Sequence, residues 1–304
     1  MKKIRPCVTF LILTLIGCTA PEQSESGKLK VVTTTGMLYD AVINIGGELV
    51  EAEAIMGPGV DPHLYKATQG DLAKFKKADV IIYNGILLEG KLTDVLNKLG
   101  RQKPAFAVAE FIPREKLLAA QGYANAFDPH VWFDVNRWKI AVEEIGKSLS
   151  RVDSSNTAIY AANTKTYLQR LDSLNTYIRN RISEIPVEQR ILITAHDAFG
   201  YFGDAYGVRV EGLQGISTVA DFGLKDIANI IDIIITNKVK AIFVETSVSE
   251  KSINAVITGC REKGHHVKIG GYLYSDAMGE PGSVEGTYVG MFRKNIDTIT
   301  EALK

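Results

Sequence analysis

"SSNTAIYAANTKTYLQRLDSLNTYIRNRISEI", from Ser154 to Ile185, contains neither glycine nor proline. Within it Leu168, Leu171, Leu174, Ile178 and Ile182 recur at steps of three and four, the spacing of one helix face. Asp153 or Ser154 can cap the start and Pro186 closes the end, so the pattern predicts one helix of about 30 residues, roughly 45 Å at 1.5 Å per residue. A rod of that length crosses a whole domain, and what flanks it sets the fold.

Both flanks alternate short apolar runs with helical stretches. Before the rod, "LKVVTTT", "VEAEAIM", "ADVIIYNG" and "PAFAVAE" are separated or followed by "GMLYDAVINIGG", "TQGDLAKFKKA" and "NRWKIAVEEIGKSL". After it, "QRILITAH", "VKAIFVET" and "HHVKIGGYLY" alternate with "LKDIANIIDIIITNK", "SEKSINAVITGCREKG" and "EGTYVGMFRKNIDTITEALK". Alternation of this kind predicts mostly parallel sheets. The expected fold class is therefore α/β: two lobes with mostly parallel sheets, over residues 29–152 and 187–304, joined by one long helix over 153–186. The 304 residues are enough for two sizeable cores.

The N-terminus carries a different message. Lys2, Lys3 and Arg5 precede "VTFLILTLI", an apolar run from Val8 to Ile16 that is too short to span a bilayer and reads as part of a signal peptide over 1–17. It ends in "LIGC", which resembles the bacterial lipobox and implies lipidation of Cys18 as the first mature residue; the alternative is a simple cleaved signal with an incidental cysteine. Residues 18–28 would be the lipidated cysteine and a polar tether, "TAPEQSESG", without any apolar period. The expectation is an exported lipoprotein anchored to a membrane and facing the periplasm or the cell exterior. No later run is long and apolar enough for a membrane helix.

Charge and cysteine content narrow the function further. Lys plus Arg equals Asp plus Glu at 35 each, and no basic stripe carries interleaved aromatics, which argues against nucleic acid. With Cys7 lost to the signal and Cys18 to lipid, Cys260 is alone and no intrachain disulfide is possible. It follows Ile253, Val256 and Ile257 at helical spacing and reads as a small packed side chain.

Ligand sites in open α/β sheets form outside the carboxyl ends of the strands. His63 follows "VEAEAIM", His130 follows "PAFAVAE" after a short excursion, His196 ends "RILITAH", and Ser275 and Asp276 follow "VKIGGYLY". Each lobe thus contributes two of these groups, and if the lobes face one another across a cleft, His63, His130, His196 and Asp276 converge there. Three imidazoles and one carboxylate form a complete donor set for a divalent transition metal. His265 and His266 precede a strand and read as ordinary turn histidines.

Two of the histidines share a lead-in, "DPHLY" from Asp61 and "DPHVWFD" from Asp128. Pro62 and Pro129 fix their own φ and push the preceding aspartate toward extended backbone, so each histidine leaves a stiff stem. Asp61 and Asp128 read equally well as turn-forming acceptors for nearby backbone or as carboxylates that fix an imidazole's tautomer. Glu245, at the end of "AIFVET", and Asp221 are further candidates for a supporting role, against the alternative of a cap or a solvated charge.

"DPHLY", "DPHVWFD", "TAHDAFGYFGDAYGV", "LQGISTVADFG" and "GYLYSDAMG" with "EGTYVGMFRKNIDTI" together resemble the TroA-like, cluster A-I metal-binding lipoproteins that serve ABC transporters. The likeness runs over nearly all of the mature chain. It implies two α/β lobes joined by a long helix, with one divalent ion, Zn2+ or Mn2+, held in the cleft by His63, His130, His196 and Asp276 and handed to a membrane permease by a monomeric protein. Relatives devoted to manganese or iron often have glutamate at the third position, where this chain has His196; many dedicated zinc binders carry a histidine-rich acidic loop after the first ligand, which is absent between His63 and His130. Two other readings compete. A secreted zinc-dependent hydrolase could use the same three histidines, but it needs an open coordination position, which Asp276 tends to fill, and no HExxH or Ser-His-Asp motif is visible. A surface adhesin would share the lipid anchor without requiring the four ligands.

Overall fold

The computed structural model describes residues 27–120, 125–219 and 223–304. The signal segment, Cys18, most of the tether and Asp221 lie outside these. The N-terminal lobe runs β1 (Leu29–Thr33), α1 (Gly36–Gly46), β2 (Val50–Ala54), α2 (Gln69–Lys77), β3 (Val80–Tyr83), α3 (Thr93–Gly100) and β4 (Ala105–Ala107), with α4 (Val135–Val152) returning along the sheet. Its strands are all parallel in the order β2-β1-β3-β4, with Val31 opposite both Ala52 and Val80. The central strands are β-branched and buried at Val31, Val32, Val80, Ile81 and Ile82, as a sheet covered on both faces requires. Edge strand β2 instead exposes Glu51 and Glu53, charges that discourage pairing with another chain.

The rod is α5 (Thr157–Ser183), preceded by a 3-10 turn at Ser154–Asn156. Neither Asp153 nor Ser154 caps it: the N-cap is Asn156, without a side-chain cap bond. Asp153 terminates α4 and uses its carboxylate to accept from Asn156 Nδ2 and Tyr160 Oη, both at 2.7 Å. The tight turn between α4 and α5 consumes the aspartate that the sequence offers as a cap. The buried face is longer than its leucines show, running Tyr160, Thr164, Tyr167, Leu171, Leu174, Ile178 and Ile182. Tyr167 can join it because its hydroxyl donates to buried Asp40 at 2.6 Å.

The C-terminal lobe continues with β5 (Ile191–His196), α6 (Gly200–Tyr206), β6 (Arg209–Gln214), α7 (Leu224–Thr236), β7 (Ala241–Glu245), α8 (Lys251–Glu262), β8 (Lys268–Leu273) and α9 (Tyr288–Leu303). Its strands form two parallel pairs, β5 with β6 and β7 with β8, and β5 lies alongside β7. Three elements go beyond the runs read from the sequence: α3 and α6 are too short to establish a helical period, and β6, "RVEGLQ", has a glycine and few apolar residues.

One apolar core passes through both lobes. It begins in β1 and α1, includes the buried face of α5, and continues through α6, Phe243, Leu273 and α9. Aromatic rings join the halves: Phe133 lies 4.3 Å from Phe199 and 5.9 Å from Phe292, and Trp138 stacks on Tyr288 at 5.5 Å. Smaller cores fill the far side of each lobe, around Phe75 and Ile81 in the first and around Ile193, Ile242 and the buried Cys260 in the second. A shared interior of this kind is incompatible with a wide hinge. Among the described residues no helix is long and apolar enough to cross a membrane.

Candidate metal centre

The carboxyl ends of β2, β4, β5 and β8 point into the cleft between the lobes, and the four expected side chains meet there. His63 comes from the loop after β2, His130 from the loop that leads into α4, His196 is the last residue of β5, and Asp276 follows β8. All four are buried, and one donor atom from each lies within 4.8 Å of the others. The nearest approaches are His63 Nε2 to His130 Nε2 at 3.2 Å, His130 Nε2 to Asp276 Oδ1 at 3.4 Å, His196 Nδ1 to Asp276 Oδ2 at 3.6 Å and His63 Nε2 to Asp276 Oδ2 at 3.7 Å. Donors placed tetrahedrally at about 2.0–2.2 Å from one ion are roughly 3.3–3.6 Å apart, so these separations fit a shared cation.

Two of the three imidazoles are held by the ring nitrogen that faces away from the centre. Asp128 Oδ1 accepts from the His130 backbone N–H at 2.9 Å and from Nδ1 of the same ring at 2.7 Å, which leaves Nε2 as the free acceptor facing the centre. His196 Nε2 donates to the Ile216 carbonyl at 3.0 Å, which leaves Nδ1 facing Asp276. His196 Nδ1 and both Asp276 oxygens are buried with no hydrogen-bond partner among the described residues. Orphaned acceptors converging from two lobes are costly unless a cation satisfies them.

Electrostatics sharpens the picture. Burial pushes the His63 imidazole down to about 2, with His130 and His196 adding to the effect, and burial likewise takes His196 down to about 4. Burial also works against a charged His130, but contact with Asp128, helped by Asp276 and Asp197, outweighs it and raises this histidine. Asp276 is pushed up to about 6 by burial. Two rings are thus held neutral and ready to bind, and protons compete with a cation at His130 and, below about pH 6, at Asp276.

The two Asp-Pro-His copies are not equivalent. Both aspartates accept from the backbone N–H of the histidine two residues on, as turn formers do. Only Asp128 also reaches the imidazole. Asp61 turns its second oxygen across the cleft to the Thr218 hydroxyl at 2.6 Å. Glu245 is fully buried at the end of β7, where its Oε1 accepts from the Ala195 N–H at 3.0 Å, and burial raises its carboxyl well above the usual range. His265 Nε2 meets the Val239 carbonyl at 2.9 Å, far from the centre in the fold, as an ordinary turn histidine does.

Other residues near the centre were not singled out by the sequence. The Trp132 indole N–H donates to the Ser275 carbonyl at 3.1 Å, joining the backbone beside His130 to the backbone beside Asp276. Asn84 Nδ2 donates to the Pro129 carbonyl at 3.1 Å. After Asn84 the chain takes three successive positive φ values, Gly85 at 82°, Ile86 at 51° and Leu87 at 63°. Buried Glu89 holds this turn by accepting from the Thr34 hydroxyl, the Asn84 N–H and the Gly85 N–H at 2.7–3.1 Å. The turn forms one wall of a cavity of about 320 Å3 that reaches His63, with Phe127, Ile216 and Val219 around it. Only Trp132 had a local signal, its place two residues after His130.

Known proteins bear on these observations. The chain is 52% identical over 299 residues to the manganese-binding lipoprotein MntA of Bacillus subtilis (strain 168), covering 98% of this chain and 97% of that protein. It is 44% identical over 308 residues to the zinc-binding protein TroA of Treponema pallidum (strain Nichols), covering 100% and 99%. The solved structure of the periplasmic zinc-binding protein TroA from Treponema pallidum superposes with a TM-score of 0.89 at 46% identity, covering 91% of this chain and 99% of that one. Residues 31–302 match the family model described as ZnuA, zinc-uptake complex component A periplasmic, and the chain belongs to that family.

Proposed function

We propose that this protein is an extracytoplasmic solute-binding protein that captures one divalent transition metal ion, zinc or manganese, and delivers it to an ABC importer. The observation that carries the reading is the convergence of four buried donors, two from each lobe, within 4.8 Å. His63, His130, His196 and Asp276 are the ligands in this reading, Asp128 fixes the His130 tautomer, and Glu245 steadies the strand end that carries His196. Residues 29–152 and 187–304 serve as the two lobes, with 153–186 as the link. Support for the cargo comes from the similar proteins, one named for manganese and another for zinc.

The donor set accommodates both ions. A nitrogen and oxygen site binds zinc more tightly than manganese by the Irving–Williams order, so selection depends on geometry and on the metal available. Asp276 turns Oδ1 toward His130 and Oδ2 toward His63 and His196. One oxygen completes a tetrahedral zinc shell; both together raise the coordination number toward that of manganese. Thiolates are absent from the donor set, which disfavours copper(I).

The reading is of a binder without turnover, because four protein donors close the shell that a hydrolytic metal keeps open. The partner is a membrane permease, the protein acts as a monomer, and a lipid on Cys18 holds it to the membrane outside the cytoplasm. Competitive zinc and manganese titrations test the site. His196→Ala is expected to abolish the rise in melting temperature that metal confers on chelator-stripped protein; an undiminished rise would remove His196 from the site. Zinc-dependent turnover of ester or amide substrates would favour a hydrolase instead.

A further inference from the structure

The loop after β6 touches both halves of the centre. Gln214, the last residue of β6, lies opposite His196 in the β5–β6 register. Two residues on, the Ile216 carbonyl accepts from His196 Nε2 at 3.0 Å. Two further on, the Thr218 carbonyl accepts from Gln214 Nε2 at 2.7 Å, which closes the loop on itself. The Thr218 hydroxyl then leaves its own lobe and donates to Asp61 Oδ2 at 2.6 Å, while Asp61 Oδ1 accepts from the His63 backbone N–H at 2.8 Å. Five residues thus fix the orientation of His196 at one end and the turn that carries His63 at the other.

We propose that Thr218 is a positioning residue for metal retention: its hydroxyl, held by Asp61 across the cleft, locks the His196 loop to the His63 turn and slows release of a bound divalent ion. The proposal rests on the assignment of these histidines as metal ligands. Because the lobes share a core, an ion leaves by displacement of local loops. Separating His63 from His196 requires the bond between Thr218 and Asp61 to break. Thr218 is only 8% exposed, and its short bond to a carboxylate is of the stronger, charge-assisted kind. The bond must break for a bound ion to depart, so its loss is read in the release rate.

The test compares Thr218→Val, which keeps the shape and removes the donor, with Thr218→Ser, which keeps the donor. Purified protein loaded with zinc is mixed rapidly with excess chelator and the released metal is followed. Thr218→Val is expected to release zinc about tenfold faster, the scale of one hydrogen bond to a charged acceptor, with a smaller change in the association rate. Thr218→Ser should restore the slow rate. In an Asp61→Ala background, Thr218→Val should add nothing further. Equal release rates for Thr218→Val and wild type would overturn the proposal, as would Thr218→Ser releasing as fast as Thr218→Val, since the methyl group would then be responsible. Failure of the wild type to bind zinc or manganese would instead remove the ligand assignment itself, and the proposal with it.

Discussion

Asp276→Asn is expected to make the metal-free protein more stable and the metal-loaded protein unattainable. The carboxylate sits at 2% exposure with neither oxygen hydrogen-bonded among the described residues, and its proton is held up to about 6 by burial. In the unfolded chain the same group ionises in the ordinary carboxylate range, so at neutral pH the folded state carries the cost of a buried charge that the contact with His130 only partly offsets. A displacement from about 4 to about 6 corresponds to roughly 3 kcal/mol, and incomplete relaxation around the amide brings the expected gain to about 1–3 kcal/mol. The amide also supplies donors where His196 Nδ1 and His63 Nε2 lie at 3.6 and 3.7 Å. The sign follows from linkage. Because folding raises this group, its contribution is favourable below the unfolded value and is lost as pH rises through about 6; the gain from Asp276→Asn should therefore be near zero at about pH 4 and reach its plateau above about pH 6. Urea unfolding of chelator-stripped wild type and variant across that range measures it, and calorimetric titration with zinc measures the lost binding. A variant less stable than wild type at neutral pH would refute the view that Asp276 is an incompletely compensated charge awaiting a cation.

Three further outcomes follow from neighbouring groups. Asp128→Asn keeps an acceptor for His130 Nδ1 but removes the charge, and should weaken zinc binding by about 10–100-fold in titrations at about pH 8. The loss should shrink at lower pH, because the variant's His130 holds its proton less tightly; an unchanged affinity would deny Asp128 any influence on the ring. Metal affinity of the wild type should begin to fall above the ordinary histidine range, where the raised His130 takes up its proton, and fall further below about 6, where Asp276 does the same, whereas His63 and His196, held at about 2 and 4, add no step of their own in that range. Competition titrations that stay flat down to about pH 5 would contradict this. Leu87→Gly should raise the melting temperature by about 2 °C, since a left-handed φ of 63° costs a leucine roughly 1–2 kcal/mol and the side chain is 65% exposed; a lowered melting temperature in calorimetry would show that the leucine makes contacts worth more than the strain.

The quartet was legible because its chemistry is scarce and its placement follows a rule. The chain has five histidines, and three of them fall where strands end, which is where open parallel sheets bind ligands. The long helix was legible because seven turns of apolar period leave little room for another reading, although its first turn was not: Asp153 is a plausible cap by type, and only the packing of Tyr160 and Asn156 shows that it is used elsewhere. The two aspartates could not be told apart because both make the same local turn. What separates them lies beyond it, a ring rotamer for Asp128 and a hydroxyl 157 residues away for Asp61. Thr218 and Glu89 escaped for a related reason: Thr218 donates to Asp61 and Glu89 accepts from Thr34, both in distant segments, and a lone threonine or glutamate carries no period.

The shared core also constrains how cargo is exchanged. Phe133 and Phe199, each three residues after a histidine of the centre, pack with Phe292 of α9, so opening the cleft as a hinge would separate rings that are fully buried. Burying such a ring is worth on the order of 1.5–3 kcal/mol, so exposing all three at once would use up a large share of what binding one ion supplies. Two of the loops at the cleft mouth face a smaller barrier. The His63 stem and the Gln214–Thr218 loop are joined by the hydrogen bond between Thr218 and Asp61, whereas the Asp276 segment is anchored in the shared core by buried Met278, and the buried acceptors of Asp276 and His196 repel one another without a cation. Loss of the ion therefore places its strain first in these loops, while both lobes keep their packing.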